Sequence, residues 1–335
     1  MPRVAIIGCG DVSTVHFDAI DAIDGAELVA VCDTDPDRLS AAVATRRVPG
    51  YQDHMTMLTQ ASPDVVHVCT PHNQHVQPAV DALERGVNVI AEKPLANTLE
   101  EGRRLVEAAA SSSARIGICF QNRYNATAQA MHAMLATGEL GRVLGGSGTV
   151  MWHRGADYYR NRPWRGSWAG GGGGLLMNQA IHTLDLLQWL VGDVTAVRGS
   201  AATHVLGDTI DVEDTAELVL THATGASSVF YATLANAVNA PVTVDIVTEA
   251  ATLSLRGDLT VTYADGRVEV IPERRAESGG RDYWGVSHRL LIADFYAQLG
   301  QNGAFWIDPA EAQKTLRIIK DVYRQSYPDA VARVS

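Results

Sequence analysis

The sequence is poor in the features that mark the more specialised classes of protein. Only four of its 335 residues are cysteine, and none of Cys9, Cys32, Cys69 and Cys119 stands in a Cys-x-x-Cys pair. Each falls at or near the end of an expected strand. That placement excludes a disulfide framework or thiolate metal cluster and reads the four as small buried fillers. No His-x-x-x-His pair occurs, and His72 and His75 lie three apart without an acidic companion, so no metal is expected. No apolar run approaches the ~18 residues that cross a bilayer, and no membrane partner is expected. Positive charge is scarce as well. With 27 Lys and Arg against 38 Asp and Glu the net charge is −11, and no basic cluster offsets it, which argues against nucleic acid as a partner. Internal repeats and low-complexity tails are absent. The first residues run straight into a strand, without a basic stretch and long apolar leader, so a cytoplasmic protein is expected.

What remains is a globular composition, 46% hydrophobic and 19% charged, in a chain long enough for two domains. The first third alternates short β-branched runs with amphipathic stretches. Val4–Ile7, Leu28–Cys32, Val65–Cys69, Val87–Ala91 and Ile116–Cys119 read as buried parallel strands, with helices such as Gln74–Arg85 and Thr98–Ser111 between them. Strand–helix alternation implies right-handed crossovers and a doubly wound Rossmann sheet over residues 1–121. After Asn122 the pattern changes. A helix over Ala126–Ala136 and a strand over Val143–Trp152 lead to a polar, aromatic loop. A glycine run, Gly170–Gly174, then precedes an apolar helix expected over Leu175–Val191. Several strands follow from Ala196 to Ile271, with hairpin connections at 222–225 and 264–267. Helices over Ser287–Leu299 and Pro309–Tyr327 finish the chain. Residues 122–335 are therefore expected to form an α+β domain with an open, mainly antiparallel sheet. Its uncovered face suits a homodimer or homotetramer contact.

The opening segment carries the sharpest chemistry. A strand runs into Gly8-Cys-Gly-Asp-Val-Ser13, and a helix follows at once. Gly8 permits the tight turn, Gly10 lets backbone approach a pyrophosphate, and Ser13 is small where helix and strand pack. The helix start, with Asp11 and Val12 in the turn, offers unpaired N–H groups. Asp33 ends the second strand, where a carboxylate binds ribose hydroxyls and repels a 2′-phosphate, so NAD is favoured over NADP. Arg38, shortly after, softens that preference.

Glu92-Lys93-Pro94 ends the strand Val87–Ala91, at the edge where a nicotinamide projects. A lysine there stabilises the alkoxide-like charge of hydride transfer; the alternative is a surface lysine in a turn. Asn178, His182 and Asp185 are spaced to line one side of a helix behind the glycine run, in either a binding or a purely structural role. Trp152, Arg154, Asp157, Tyr158, Arg160, Trp164 and Arg165 put rings, cations and a carboxylate into one loop. That mixture suits a sugar or polyol, a carboxylate or a nucleotide-linked sugar, and equally a dimer contact. Tyr283 and His288 are added to the same set.

These motifs, in this order and spacing, resemble the Gfo/Idh/MocA oxidoreductases, and the resemblance covers essentially the whole chain. It implies an NAD-dependent dehydrogenase acting on a secondary alcohol or ketone of a cyclic polyol or sugar. Lys93 corresponds to the catalytic lysine, and His182 to the histidine that holds the reacting hydroxyl. Thr70, Pro71 and His75 resemble the loop around the nicotinamide ribose, with Glu92 on the cofactor. Gln121 and Arg123 match positions lining the nicotinamide pocket. Many relatives carry aspartate where this chain has Asn178, and an amide cannot ionise, so Lys93 is expected to carry more of the proton transfer. The same substitution keeps open an NAD-dependent glycosidase working by transient oxidation, or a sugar sensor without catalysis.

Overall fold

The structure is a computed structural model that describes residues 2–274 and 285–330. The described residues of 1–96, 100–121 and 275–313 form one compact unit, and those of 97–99, 122–274 and 314–335 another.

The first unit is built on six strands: β1 (Arg3–Ile7), β2 (Glu27–Cys32), β3 (Gly50–Tyr51), β4 (Val65–Val68), β5 (Asn88–Ala91) and β6 (Ile116–Ile118). Their order is β3-β2-β1-β4-β5-β6, and every pairing is parallel. The expected doubly wound sheet is therefore present. Its strand order reverses between β1 and β4, and ligands bind above the carboxyl ends of the strands at such a reversal. All four residues of β4 are buried, which is why the run lacks alternation. The two-residue β3 lies at an edge, too short to leave an apolar run in the sequence.

A single boundary after residue 121 does not describe this unit, because residues 285–313 return to it. The helix Gly285–Ala297 packs on the helix Ser13–Ala22. Ile118 of β6 donates its N–H to Ile307 at 2.9 Å. Gly117 lies against Phe295 and Phe305, where a side chain would come within 3.0 Å of both rings. The short sixth strand thus obtains its apolar cover from near the C-terminus, a requirement no local pattern reveals.

The second unit holds β7 (Val143–Met151), β8 (Val194–Ala202), β9 (Thr215–His222), β10 (Ser227–Thr233), β11 (Thr243–Thr248), β12 (Ala251–Arg256), β13 (Asp258–Tyr263) and β14 (Val268–Ile271). They form one sheet in the order β14-β13-β12-β11-β7-β10-β9-β8, antiparallel except between β7 and β10. The apolar helix expected over Leu175–Val191 is two helices, Leu175–Asn178 and Ile181–Val191. At the break both Gln179 and Ala180 donate to the Leu175 carbonyl; the second is a bond over five residues, which widens the turn and interrupts the helix. The longer piece lies on one face of the sheet, where Leu187 reaches the Cα-only surface of Gly146 in β7. Among the described residues no helix covers the other face, and Val219, Val229, Tyr231 and Val247 stand exposed on it. No helix among the described residues is long and apolar enough to cross a membrane.

Candidate active site

In the first unit, the turn after β1 is built for backbone to meet a ligand. Gly8 has φ +94°, and a Cβ there would sit 2.7 Å from the Cys69 carbonyl carbon, so this position takes only glycine. A Cβ on Gly10, by contrast, would meet nothing within 4 Å. Protein packing does not require glycine at that position, and bare backbone there suits the close approach of a pyrophosphate. Ser13, 1% exposed, donates its hydroxyl to the Gly10 carbonyl at 2.7 Å and starts the helix. Asp11 is exposed and Val12 half-buried beside it. Asp33 follows β2 and accepts the Cys9 N–H at 2.8 Å through Oδ2 and the Asp35 N–H at 2.8 Å through Oδ1. Each oxygen keeps a lone pair for a ribose hydroxyl. Arg38 lies 3.9 Å from Asp33 and 2.9 Å from Asp35. These residues fit a dinucleotide: an open glycine, a helix N-terminus and a carboxylate at the next strand's tip. The carboxylate disfavours a 2′-phosphate.

Past β4, the Thr70 hydroxyl donates to the Gln74 carbonyl at 2.9 Å and lies 3.1 Å from His75 Nδ1. Pro71 is half-buried beside it. His75 is buried, and burial pushes its pKa down to about 4, so it is a neutral support for the Thr70 loop. Lys93 follows β5, half-buried, with a cis bond to Pro94. Glu92 departs from its expected place on the cofactor. It is buried, and its Oε1 accepts from His16 Nε2 at 3.0 Å and His288 Nε2 at 3.1 Å. A carboxylate in the interior needs such donors, and here histidines supply them. His288 therefore belongs to the first unit, not to the substrate loop. Gln121 is also buried. Tyr283 lies outside the described residues.

In the second unit, the structure gathers the expected aromatic and cationic residues. Asn178 Nδ2 donates to the Tyr158 hydroxyl at 3.0 Å. The Arg165 guanidinium lies 4.5 Å from the centre of the Tyr158 ring and 5.6 Å from that of Trp164. Arg154 lies 5.0 Å from the Trp152 ring and 5.6 Å from Tyr158. Tyr158 is thus the hub of a half-buried set of rings and cations suited to the C–H face and hydroxyls of a sugar. Asn178 and His182, both half-buried, flank the helix break, while Asp185 points into the core. The three do not line one side of a continuous helix.

Arg123 also departs from its expected pocket role. It is 1% exposed, and its Nε and Nη2 each meet a different oxygen of Asp185 at 2.7 Å. Thr315 adds a hydroxyl to the same carboxylate at 3.1 Å. A fully buried guanidinium is retained only with such a planar partner. The glycine run is clamped by residues that belong to no sequence motif. Glu213 accepts the N–H groups of Gly174 and Leu176, each at 2.8 Å, and the Tyr323 hydroxyl at 2.6 Å. Lys320 donates to the carbonyls of Gly172 and Asn97. A run of acidic residues, Asp211-Val-Glu-Asp214, just before β9 is the one local sign of that clamp. His16 and His67 likewise belong to no motif, although a histidine inside the apolar run of β4 is a sign of a buried partner.

Residues 2–120 match the Gfo/Idh/MocA oxidoreductase family, NAD-binding Rossmann fold, and residues 128–254 match the Gfo/Idh/MocA C-terminal domain. Among curated proteins, the chain is 34% identical over 226 residues to D-apiose dehydrogenase of Paraburkholderia graminis, covering 67% of this chain and 58% of that protein. It is 32% identical over 198 residues to D-glucoside 3-dehydrogenase of Escherichia coli, covering 57% and 54%. The matches span less than two thirds of these relatives' own length. Among solved structures, the WlbA dehydrogenase from Bordetella pertussis, in complex with NADH and UDP-GlcNAcA, superposes with a TM-score of 0.83. It shares 31% identity over 97% of this chain and 96% of that one.

Proposed function

Because the chain belongs to the Gfo/Idh/MocA family of NAD-binding oxidoreductases, we propose that it is an NAD-dependent dehydrogenase. Its reaction moves a hydride between nicotinamide and a secondary alcohol or ketone of a cyclic polyol, sugar or sugar derivative. The observation that carries this reading is the turn after β1. It leaves open space at Gly10 where glycine is otherwise unneeded, in the same unit as a lysine at the end of β5.

The nicotinamide, when bound, supplies or accepts the hydride. In the first unit Lys93 is the residue to donate a hydrogen bond to the reacting oxygen and exchange its proton, and in the second His182 is the residue to hold a substrate hydroxyl. Asn178, a neutral amide, binds a hydroxyl without titrating, so the proton rests with Lys93 and His182. Trp152, Tyr158 and Trp164 hold the ring face of the sugar. Arg154 and Arg165 extend the substrate class to sugars bearing a carboxylate or phosphate, and the UDP-linked sugar acid in the Bordetella pertussis complex supports that extension.

A second copy of the chain on the open sheet face completes the reading, supported by Val219, Val229, Tyr231 and Val247 exposed together there. The four free thiols support a cytoplasmic setting.

The test is a panel of neutral and acidic sugars with NAD and NADP in parallel, read by reduced-nicotinamide absorbance. Turnover with NAD, lost about 10²–10⁴-fold in Lys93→Ala with cofactor fluorescence on binding unchanged, supports the reading. Release of an aglycone with no net change in absorbance would replace it by a glycosidase.

A further inference from the structure

The interior of the first unit holds five titratable side chains that the proposed reaction does not use directly. His16 lies on the helix Ser13–Ala22, His67 on β4, Glu92 just past β5, and His288 and Tyr296 on the helix Gly285–Ala297. They are joined in one chain. The Tyr296 hydroxyl lies 2.7 Å from His67 Nε2, and His67 Nδ1 lies 2.9 Å from His16 Nδ1. His16 Nε2 lies 3.0 Å and His288 Nε2 3.1 Å from Glu92 Oε1. His16 and His67 are wholly buried, His288 and Glu92 nearly so.

The direction of every bond follows from one end. An ionised carboxylate only accepts, so His16 and His288 both carry hydrogen on Nε2. A neutral imidazole has one N–H, which leaves His16 Nδ1 bare and obliges His67 to donate from Nδ1. His67 Nε2 is then bare and takes the Tyr296 hydroxyl. Each link from Glu92 to Tyr296 determines the next. Burial lowers the pKa of His16 and His67, keeping both neutral. It also raises Tyr296 and the Cys69 and Cys119 thiols that face Glu92. Burial keeps His75, also facing Glu92, neutral, and Lys93 is the next residue along the chain.

We propose that this chain is a one-way hydrogen-bond lock that ends on Glu92, holds its carboxylate turned inward, and thereby positions the strand end from which Lys93 projects. His16, His67, His288 and Tyr296 are positioning residues in this scheme, which rests on Lys93 handling the substrate proton. A cation held by His16, Glu92 and His288, whose ligand atoms lie within 4.8 Å of one another, is the competing arrangement. It requires the opposite polarity, because Nε2 of His16 would be bare and Nδ1 would carry the hydrogen.

The experiment is long-range ¹H–¹⁵N NMR of histidine-labelled full-length protein, assigned with single-histidine variants, together with the kinetics of Tyr296→Phe. The lock requires Nε2–H forms at His16 and His288 and an Nδ1–H form at His67, unchanged on adding zinc. An Nδ1–H form at His16, or a zinc-induced change there, overturns it. Tyr296→Phe removes only the outer donor. It is expected to lower kcat about tenfold with KM for NAD unchanged. It also moves the acid limb of the rate profile to higher pH, because His67 Nε2, still buried but without its donor, then takes a proton more readily. A variant that loses only thermal stability, with kcat and pH profile intact, refutes the positioning role. Absence of turnover by the parent enzyme on every sugar would instead defeat the Lys93 reading, while the tautomers still decide the polarity.

Discussion

Arg123 and Asp185, 62 positions apart in the chain, meet in the core of the second unit through two parallel bonds of 2.7 Å. The pair fixes the helix Ile181–Val191, which bears His182, against the segment that follows Gln121. Removing one partner strands a buried charge. Arg123→Leu is expected to cost about 3–5 kcal/mol in urea unfolding, and the double change with Asp185→Leu to recover much of that loss. A double variant as unstable as the single one would show that the pair contributes by shape alone.

The two glycines of the opening turn are predicted to separate folding from binding. Gly8→Ala places a Cβ against the Cys69 carbonyl at a positive φ and lowers the melting temperature. Gly10→Ala meets no protein atom, so stability stays within about 0.5 kcal/mol while NAD affinity falls. Calorimetry and cofactor titration on both variants check the contrast.

Tyr158 holds Asn178 through its hydroxyl and lies beneath Arg165. Tyr158→Phe keeps the ring but removes the hydroxyl that accepts from the Asn178 amide. The expected result is a sugar KM raised about tenfold with the NAD KM unchanged, measured by steady-state kinetics.

Acid is expected to destabilise the first unit before its carboxylates titrate. The folded pKa of His75 is depressed from 6.5 to about 4, and those of His16 and His67 are lowered in the same direction. The unfolded chain then binds protons that the folded one refuses, so stability is complete above about pH 6.5 and is lost as pH falls from there. His75 alone accounts for about 3 kcal/mol by pH 4. Glu92, whose pKa is depressed among its histidines, adds its share only below its unfolded value of 4.5. Unfolding free energy measured against pH should fall from near 6.5, and His75→Gln should flatten that fall.

The sequence by itself determined what neighbours along the chain can dictate. Apolar runs without alternation marked the parallel strands, and the glycine turn with Asp33 marked the cofactor end of the first sheet. The helix Ala126–Ala136 could be read to the residue. The aromatic and cationic loop was legible as a cluster because its members lie within fourteen positions of one another. Tertiary structure alone decided which buried polar groups face each other. Glu92 turns to His16 and His288, 76 and 196 positions away, and Arg123 turns to Asp185 rather than to a ligand. It also brought residues 285–313 back to cover β6 and broke the helix between Asn178 and Ile181. The physical reason is common to all of these. A buried charge or imidazole must find a partner, and any of many side chains satisfies that need equally well on paper. Only packing selects the one within three ångströms.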